Sequence, residues 1–245
     1  MKTVLVFGAN GRIGSAICKA CQGRYEVIGV DVVETGEFYE NNSKKISYKV
    51  CDVTKTQEIK LLLASLEKDN IQIDACVNTA YPHSRAWGKK FEELEMDDLT
   101  ENLKLQLASA IILSQQLFQV FIKQGYGNFI HMSSIQGVAT PKFEHYEGTQ
   151  MTSPIEYSAI KSGIISMTSW LAKYYKNNNI RVNCISPGGI LDKQPDSFLE
   201  KYRESCTSKG MLDAEDVVGS VLFLLSDQSK YINGQNLIVD DGWSL

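Results

Sequence analysis

Residues 3–14 read TVLVFGANGRIG, a short apolar run that passes directly into a turn with glycine at every third position. The run at residues 3–7 predicts a buried strand, and residues 15–21 after the turn predict a helix. In such a strand–turn–helix unit, glycines permit a tight bend, a close approach to a pyrophosphate and close helix–strand packing. The free N–H groups at the start of the helix favour phosphate. We therefore expect a dinucleotide to contact this turn, through Gly8, Asn10, Gly11, Arg12, Ile13 and Gly14.

Strand-like and helical patterns alternate along the rest of the chain. Predicted helices follow the glycine turn, span Asp97–Lys123, follow Pro154 and span Asp213–Ser226. The predicted strands are Thr3–Phe7, Glu26–Val30, Ile46–Val50, Ala75–Val77, Asn128–Met132, Ile180–Ile185 and Asn236–Val239. Short, nearly continuous apolar strands are typical of a parallel sheet buried on both faces. The pattern predicts an α/β fold of the Rossmann type, doubly wound, with a mainly parallel seven-stranded sheet and helices on both faces. Without repeats or linkers, residues 1–245 are expected to form a single domain.

The composition excludes several classes of protein. The chain has 245 residues, 43% of them apolar, and a net charge of −4 without any basic stripe, so no nucleic-acid partner is expected. The apolar run at residues 3–7 is too short for a signal sequence, and no stretch is expected to be long and apolar enough to cross a membrane. We therefore expect a cytoplasmic protein without a membrane partner.

The histidines and cysteines do not predict a metal site. His83, His131 and His145 have no ligand-like spacing, and Cys18 and Cys21 form a CxxC without a second half-site. His131 lies in a predicted core strand and is expected to be a hydrogen-bonded structural residue. His83 and His145 could enter a substrate pocket, but we expect both to face solvent.

An acidic residue ends the second predicted strand. Asp31 stands where a carboxylate can accept hydrogen bonds from both hydroxyls of an adenosine ribose. The same carboxylate would repel a 2′-phosphate, so Asp31 favours NAD over NADP. Arg12 argues in the opposite direction, because a cation beside the turn could pair with a 2′-phosphate. Alternatively, Arg12 faces solvent or holds the pyrophosphate.

A second motif predicts proton transfer. Tyr157 and Lys161 lie one helical turn apart on one face of a predicted helix. Hydride exchange at a carbonyl carbon needs a proton partner at the oxygen, and a nearby ammonium lowers the high pKa of a tyrosine. Ser134 follows the predicted strand at residues 129–132 and so lies at the carboxyl edge of the sheet. There the Ser134 hydroxyl can form a hydrogen bond with the reacting oxygen.

Together these motifs resemble the short-chain dehydrogenase/reductase family over essentially the whole chain. Further marks are Asp52-Val53 after the third strand, Asn78-Thr79-Ala80 after the fourth, Pro187-Gly188, and the ending Asn233-Gly234-Gln235 to Gly242. The resemblance implies hydride exchange at the nicotinamide, with Tyr157 as acid/base, Lys161 on the nicotinamide ribose and Ser134 on the substrate oxygen. It also implies cofactor contacts from Asp52, Val53, Asn78, Thr79, Ala80, Pro187, Gly188 and Ile190.

The chain departs from the family pattern at several positions. Thr79 and Tyr81 replace an Asn and a Gly beside the cofactor, and Gln106 replaces a proton-relay Asn. Arg12 stands where the turn has another glycine, and Asp192 stands where a Thr often follows Pro-Gly. Gln106 either takes over the relay by a different path or leaves the relay absent.

The stretch between Ser134 and Tyr157 is longer than in most members. Its polar residues 141–148 are either a cover over a hydroxyl-rich or charged substrate or a solvated surface loop. This stretch and residues 81–83 are similar to members associated with flagellin modification and with nucleotide-sugar pathways leading to legionaminic-type acids.

The sequence thus predicts an NAD-dependent dehydrogenase for a secondary alcohol or ketone, with a sugar or nucleotide sugar as one candidate substrate. Two alternatives stay open: a non-catalytic dinucleotide sensor or scaffold, and a 3-oxoacyl-type reductase. The resemblance also implies a homodimer or homotetramer, assembled through the two long helices, at residues 102–119 and 154–175, and through the C-terminal strand.

Overall fold

Seven parallel strands form one sheet in the computed structural model, which describes residues 1–33 and 46–245. The strands, β1 to β7 in chain order, are Thr3–Phe7, Glu26–Asp31, Ser47–Val50, Ala75–Asn78, Gly127–Met132, Ile180–Pro187 and Asn236–Val239. Their order across the sheet is 3-2-1-4-5-6-7, and every pairing is parallel. The predicted Rossmann-type fold is confirmed, and the sheet is entirely rather than mainly parallel.

Side chains from the two faces of the sheet enter two separate hydrophobic cores. Val4 and Val6 of β1 pack into one core, whereas Leu5 and Phe7 pack into the other. Because successive side chains of a strand point to opposite faces, a continuous apolar strand must be covered on both sides. This requirement explains why β1 is apolar from Val4 to Phe7.

Six helices, α1 to α6 in chain order, lie within residues 1–33 and 46–245. They span Arg12–Cys21, Thr56–Lys68, Met96–Gln124, Ile155–Tyr174, Asp196–Glu204 and Ala214–Leu225. The predicted cap of α6 is present, because the side chains of Asp213 and Asp216 form a reciprocal capping box. The sequence analysis did not predict α2 or α5.

Helix α3 corrects one expectation. It is long and apolar enough, by composition alone, to cross a membrane, so the expectation that no such stretch exists is wrong. Half of its most apolar window is buried inside the fold, where Leu113 and Leu117 belong to the core. Its composition therefore reflects packing against the sheet and neighbouring helices.

A wide helical turn interrupts α3 at Lys104–Ala108, which has π-helical hydrogen bonding. Ser109 provides hydrogen bonds to this turn, because its hydroxyl donates to the carbonyl oxygens of Leu105 and Gln106. Such turns inside α-helices often occur at functional sites.

The glycine turn is sterically fixed. Gly8 has φ +76°, and a Cβ on Gly14 would lie 2.0 Å from the carbonyl oxygen of Gly8. Only glycine at both positions lets α1 begin this close to the end of β1.

The C-terminal segment is fastened to the loop before α6 by one carboxylate. Asp241 accepts hydrogen bonds from the backbone of Ser208 and Gly210 and from the hydroxyls of Thr207 and Ser208. The hydrogen bond from Gly210 and those from Ser208 and Thr207 hold the pKa of Asp241 well below its usual range. This anchoring keeps Trp243, which is 3% exposed, folded against the molecule.

We predict that Gly14→Ala destabilises the protein by about 3 kcal/mol or more, because the new methyl group overlaps the Gly8 carbonyl. Urea denaturation measures the effect. Gly219→Ala in α6 is the matched control, because a Cβ at this position meets no described atom within 4 Å. Alanine is also about 1 kcal/mol more favourable than glycine inside a helix, so this variant should not be destabilised. Equal stability of the Gly14→Ala and wild-type proteins would contradict this account of the turn.

We also predict that Asp241→Asn lowers stability in a pH-dependent way. A carboxylate whose pKa is depressed by folding stabilises the protein above its unfolded pKa and loses that contribution as the pH falls. The difference in unfolding free energy between wild type and variant should be full at neutral pH and should shrink below about pH 4. The control is Asp69→Asn, which removes an exposed carboxylate that takes no part in these hydrogen bonds. A difference that stays constant with pH would refute the prediction.

Candidate active site

A cleft of about 560 Å³ opens at the carboxyl ends of the strands. It is lined by many of the residues expected at the site: Gly11, Arg12, Ile13, Gly14, Thr79, Ala80, Ser134, Tyr157, Lys161, Pro187, Gly188 and Ile190. The glycine turn and the Tyr–Lys pair, which are more than a hundred residues apart in sequence, therefore share one cavity. Gly8, Asn10, Asp31, Asp52, Val53, Asn78 and Gln106 are not part of its described lining.

Ser134, Tyr157 and Lys161 form the polar centre of the cleft. Burial raises the pKa of Tyr157, and a hydrogen bond with Ser134 opposes that rise. Lys161 is 6% exposed, and burial lowers the pKa of its ammonium to about 8. Its Nζ donates to the carbonyl oxygen of Met132 at 3.2 Å.

Ser133 has a structural task that the sequence analysis did not separate from that of Ser134. Its N–H donates to the carbonyl of Ile185 at 2.7 Å, and its hydroxyl donates to the backbone carbonyl of Lys161 at 2.8 Å. These bonds tie α4 to the ends of β5 and β6. Gly137 reinforces the contact, because a Cβ there would lie 2.7 Å from the Lys161 carbonyl carbon.

The glycine turn fits the pyrophosphate of a dinucleotide. Helix α1 begins at Arg12, and within residues 1–33 and 46–245 no side chain caps its N-terminus. Its first N–H groups and its positive dipole end therefore face the cleft without a side chain competing with an anion. Thr79 braces the turn, since its hydroxyl donates to the Phe7 carbonyl at 2.7 Å.

Asp31 ends β2 directly beside this turn. One carboxylate oxygen accepts from the Asn10 N–H and the other from the Val32 N–H, each at 2.8 Å. The Asn10 side chain also donates to the Tyr48 hydroxyl at 2.6 Å. Asn10 therefore positions Asp31, an indirect role that the motif alone does not reveal.

The other expected cofactor residues shape loops at the same edge. Asp52 accepts from the N–H and hydroxyl of Thr54 at 2.9 and 2.7 Å, which fixes the turn that holds buried Val53. Asn78 is buried and accepts from the Ala80 N–H at 3.2 Å.

Two departures from the family pattern contact each other. Arg12 and Asp192 form an ion pair between the glycine turn and the loop after β6. Both side chains are about half exposed, at 56% and 47%. The guanidinium is thus directed toward that loop.

Gln106 lies behind the cleft, in the wide turn of α3. It is 5% exposed, and neither its oxygen nor its nitrogen has a hydrogen-bond partner among the described residues. One helical turn earlier, Asn102 donates to buried Glu156 at 3.3 Å and accepts from the Ser84 N–H at 3.0 Å. An unpaired buried amide is costly, so this place suits ordered water.

Aromatic rings surround Tyr157. The rings of Tyr81 and Trp87 each meet the Tyr157 ring edge-on, with centroids 5.9 Å away in both cases. His83 lies 5.8 Å from the Tyr81 ring and is exposed, as expected. The sequence analysis did not predict a role for Trp87, because a lone tryptophan in a loop carries no spacing signal.

The long stretch before Tyr157 packs on an aromatic cluster at the far end of the cleft. His145 was expected to face solvent, and this was wrong: it is 2% exposed and its Nε2 lies 2.9 Å from the Ser205 hydroxyl. Its ring contacts Phe198, Tyr202 and Trp243. Part of this stretch is therefore a wall of the cleft.

A second cavity, of about 830 Å³, adjoins the first. Gln136, Tyr146 and Ser153 separate the two: Gln136 donates to the Tyr146 hydroxyl at 3.2 Å and accepts from Ser153 at 2.7 Å. Exposed apolar side chains and Lys90 line the second cavity, among them Phe91 and Phe143.

The remaining histidine and the cysteines have structural surroundings. His131 is buried, lies 3.1 Å from the Ser114 hydroxyl and has its pKa lowered to about 3 by burial, as expected of a structural residue. Burial raises the pKa of Cys21 to about 11, which makes its thiol unreactive. Within residues 1–33 and 46–245, no three metal-ligating side chains cluster.

Comparisons with known proteins agree with this geometry. A family model described as enoyl-(acyl carrier protein) reductase matches residues 8–244. The post-translational flagellin modification protein A of Campylobacter coli is 46% identical, with 100% of this chain and 98% of that protein covered. A 3-oxoacyl-[acyl-carrier-protein] reductase of Rickettsia bellii is 31% identical over 98% of this chain and 96% of that protein. A crystal structure of a short chain dehydrogenase from Leptospira borgpetersenii with bound NAD⁺ has a TM-score of 0.90 and 33% identity, covering 100% of this chain and 93% of that one.

The chain therefore belongs to the short-chain dehydrogenase/reductase family and is an oxidoreductase that acts on CH–OH groups with a nicotinamide dinucleotide.

Proposed function

We propose that the protein is an NAD-dependent dehydrogenase in which Tyr157 moves the proton at the reacting oxygen. The observation that carries this proposal is the shared cleft: Tyr157, Lys161 and Ser134 line the same cavity as the glycine turn. We further propose that residues 1–245 act as a single domain that supplies both the cofactor site and the catalytic groups.

In this proposal, NAD supplies a hydride acceptor at its nicotinamide ring. The Ser134 hydroxyl donates a hydrogen bond to the substrate oxygen, while the Tyr157 hydroxyl gives or takes the proton there. The Lys161 ammonium stabilises the phenolate and so opposes the effect of burial on Tyr157. Gln106 holds water behind α4, through which protons can be resupplied.

The proposed preference for NAD rests on Asp31. Its two oxygens are held by backbone N–H groups beside the glycine turn, so the carboxylate cannot swing away from a 2′-phosphate. Arg12, the possible phosphate partner, is paired with Asp192 on the opposite loop. The bound NAD⁺ in the Leptospira borgpetersenii relative supports the same choice.

For the substrate, we propose a secondary alcohol or ketone of a sugar or nucleotide sugar, used in flagellin-glycan synthesis in the cytoplasm. The 46% identical flagellin modification protein supports this class. The second cavity supports a substrate with a large distal group, because it adjoins the cleft across a thin polar wall. Polar groups of the wall, such as Ser153 and Gln136, can bind hydroxyls.

A 3-oxoacyl-type reductase is the second candidate, favoured by the Rickettsia bellii relative and by the apolar side chains of the second cavity. The carboxylate of Asp31 weighs against it where the reductant is NADPH. A non-catalytic sensor would have no use for the complete set of Ser134, Tyr157 and Lys161.

We also propose assembly as a homodimer or homotetramer through α3 and α4. Trp170 and Tyr174 of α4 are 59% and 65% exposed, and their rings stack 4.7 Å apart. A rigid exposed aromatic pair of this kind suits a protein–protein contact.

We predict that Tyr157→Phe reduces turnover by at least a hundredfold, because the phenol that exchanges the proton is lost. NADH binding, followed by fluorescence, should stay near the wild-type level. The assay is NAD⁺ reduction with a panel of sugars and nucleotide sugars. The control is Tyr174→Phe, which removes an exposed hydroxyl from the same helix and should leave turnover unchanged. Full activity of Tyr157→Phe would exclude the proposed mechanism.

We predict that Asp31→Ser raises the affinity for NADPH relative to NADH by roughly tenfold or more, since it removes the charge that opposes the 2′-phosphate. Fluorescence titration with both dinucleotides gives the ratio. Asp192→Ala, which frees Arg12 but keeps the Asp31 carboxylate, should change the ratio much less than Asp31→Ser does. If only Asp192→Ala changes the ratio, Arg12 rather than Asp31 selects the cofactor.

A further inference from the structure

The ammonium of Lys161 lacks an acidic partner. Throughout the described residues, no carboxylate oxygen lies within 4 Å of its Nζ, and its one hydrogen bond is to the Met132 carbonyl. A buried, unpaired ammonium tends to lose its proton, and burial lowers the pKa of Lys161 accordingly. Contacts that favour the charged form therefore bear directly on its ability to stabilise a phenolate.

Two aromatic faces meet the ammonium. The Nζ of Lys161 lies 5.4 Å from the ring centroid of Tyr81 and 5.5 Å from that of Tyr157. A cation within about 6 Å of an aromatic face is attracted by the ring quadrupole, most strongly where water is excluded. Tyr81 stands where the family pattern has a glycine, so this chain adds a face that the pattern lacks.

Tyr81 also contacts the other partner of the pair. Its ring meets Tyr157 edge-on at 5.9 Å and is itself braced by Trp87 at 5.7 Å. It is 44% exposed, and it lines the cleft beside Lys161. Tyr81 thus touches both the ammonium and the phenol from the side that faces the cavity.

The other neighbours of Lys161 do not supply negative charge. His131, from β5 below, is buried and its pKa is lowered to about 3, so it is neutral. Tyr157 is on the same helix, and burial raises its pKa, so it is neutral when substrate is absent. Aromatic faces and one carbonyl are therefore the described groups that favour the charged form.

We propose that Tyr81 is a positioning residue of the reaction, whose ring face holds the Lys161 ammonium in its charged form and whose edge braces Tyr157. Its relevance to turnover rests on the proposed function, whereas its effect on Lys161 can be measured independently. Replacing the Tyr81 ring with an aliphatic side chain lowers the proton affinity of Lys161. The ammonium then loses its proton at a lower pH.

The test is competitive labelling of the intact protein with acetic anhydride over a pH series, with mass spectrometry of the peptide that contains Lys161. Labelling follows the fraction of free amine, so it gives the pKa of that one lysine without any substrate. Tyr81→Leu and Tyr81→Met should each lower this pKa by about one unit from its wild-type value. Tyr81→Phe, which keeps the ring, should leave it unchanged.

The chain offers a matched control at its surface. Lys230 lies 4.8 Å from the ring of Tyr231, which is 88% exposed. Tyr231→Leu removes a cation–π contact outside the cleft and should leave the Lys161 pKa unchanged. NADH titration of each variant verifies that the cleft is still folded.

An unchanged or raised Lys161 pKa in both folded Tyr81→Leu and Tyr81→Met would overturn the inference. That outcome would leave the proposed function standing, provided that Tyr157→Phe is inactive. Conversely, a lowered Lys161 pKa together with a fully active Tyr157→Phe would retain the contact but remove its proposed role in catalysis.

Discussion

A single buried ammonium constrains the architecture of the cleft. Lys161 is almost fully buried, and its charge is opposed by desolvation, which costs free energy unless the surroundings compensate. The compensation comes from three different segments: the Met132 carbonyl at the end of β5, the Tyr157 ring on α4 and the Tyr81 ring after β4. Because the sheet places these segments side by side, the pKa of one lysine depends on the order of the strands.

The same edge of the sheet is held rigid by short backbone contacts. Ser133 links β5 to the backbone of Lys161, and Gly137 approaches that backbone too closely for any side chain. At the other end of the cleft, Gly8 and Gly14 bring α1 against β1 in the same manner. Both proposed halves of the reaction, the dinucleotide and the proton donor, therefore rest on elements that cannot shift without steric overlap.

Much of this arrangement could be predicted from local pattern. Apolar runs such as residues 3–7 identify buried strands. The glycine spacing predicts a turn that can contact a pyrophosphate, and the Tyr–Lys spacing places two side chains on one face of a helix. Pairwise contacts between distant segments could not be predicted. Arg12 and Asp192 each stood out as a departure, but nothing in the sequence shows that they pair. His145 was misjudged because its neighbours in sequence are polar, whereas the aromatic side chains that bury it lie some fifty or more residues later.

The central claim is that the phenol of Tyr157 and the ammonium of Lys161 share a pocket with the nicotinamide of a bound dinucleotide. A crystal structure of the protein with NAD⁺ tests it most directly. The account predicts the pyrophosphate on the N-terminus of α1 and the nicotinamide ring against Tyr157, leaving room for a substrate carbon about 3–3.5 Å from the ring. A nicotinamide bound away from Tyr157 and Lys161, with the pyrophosphate off the glycine turn, would contradict it.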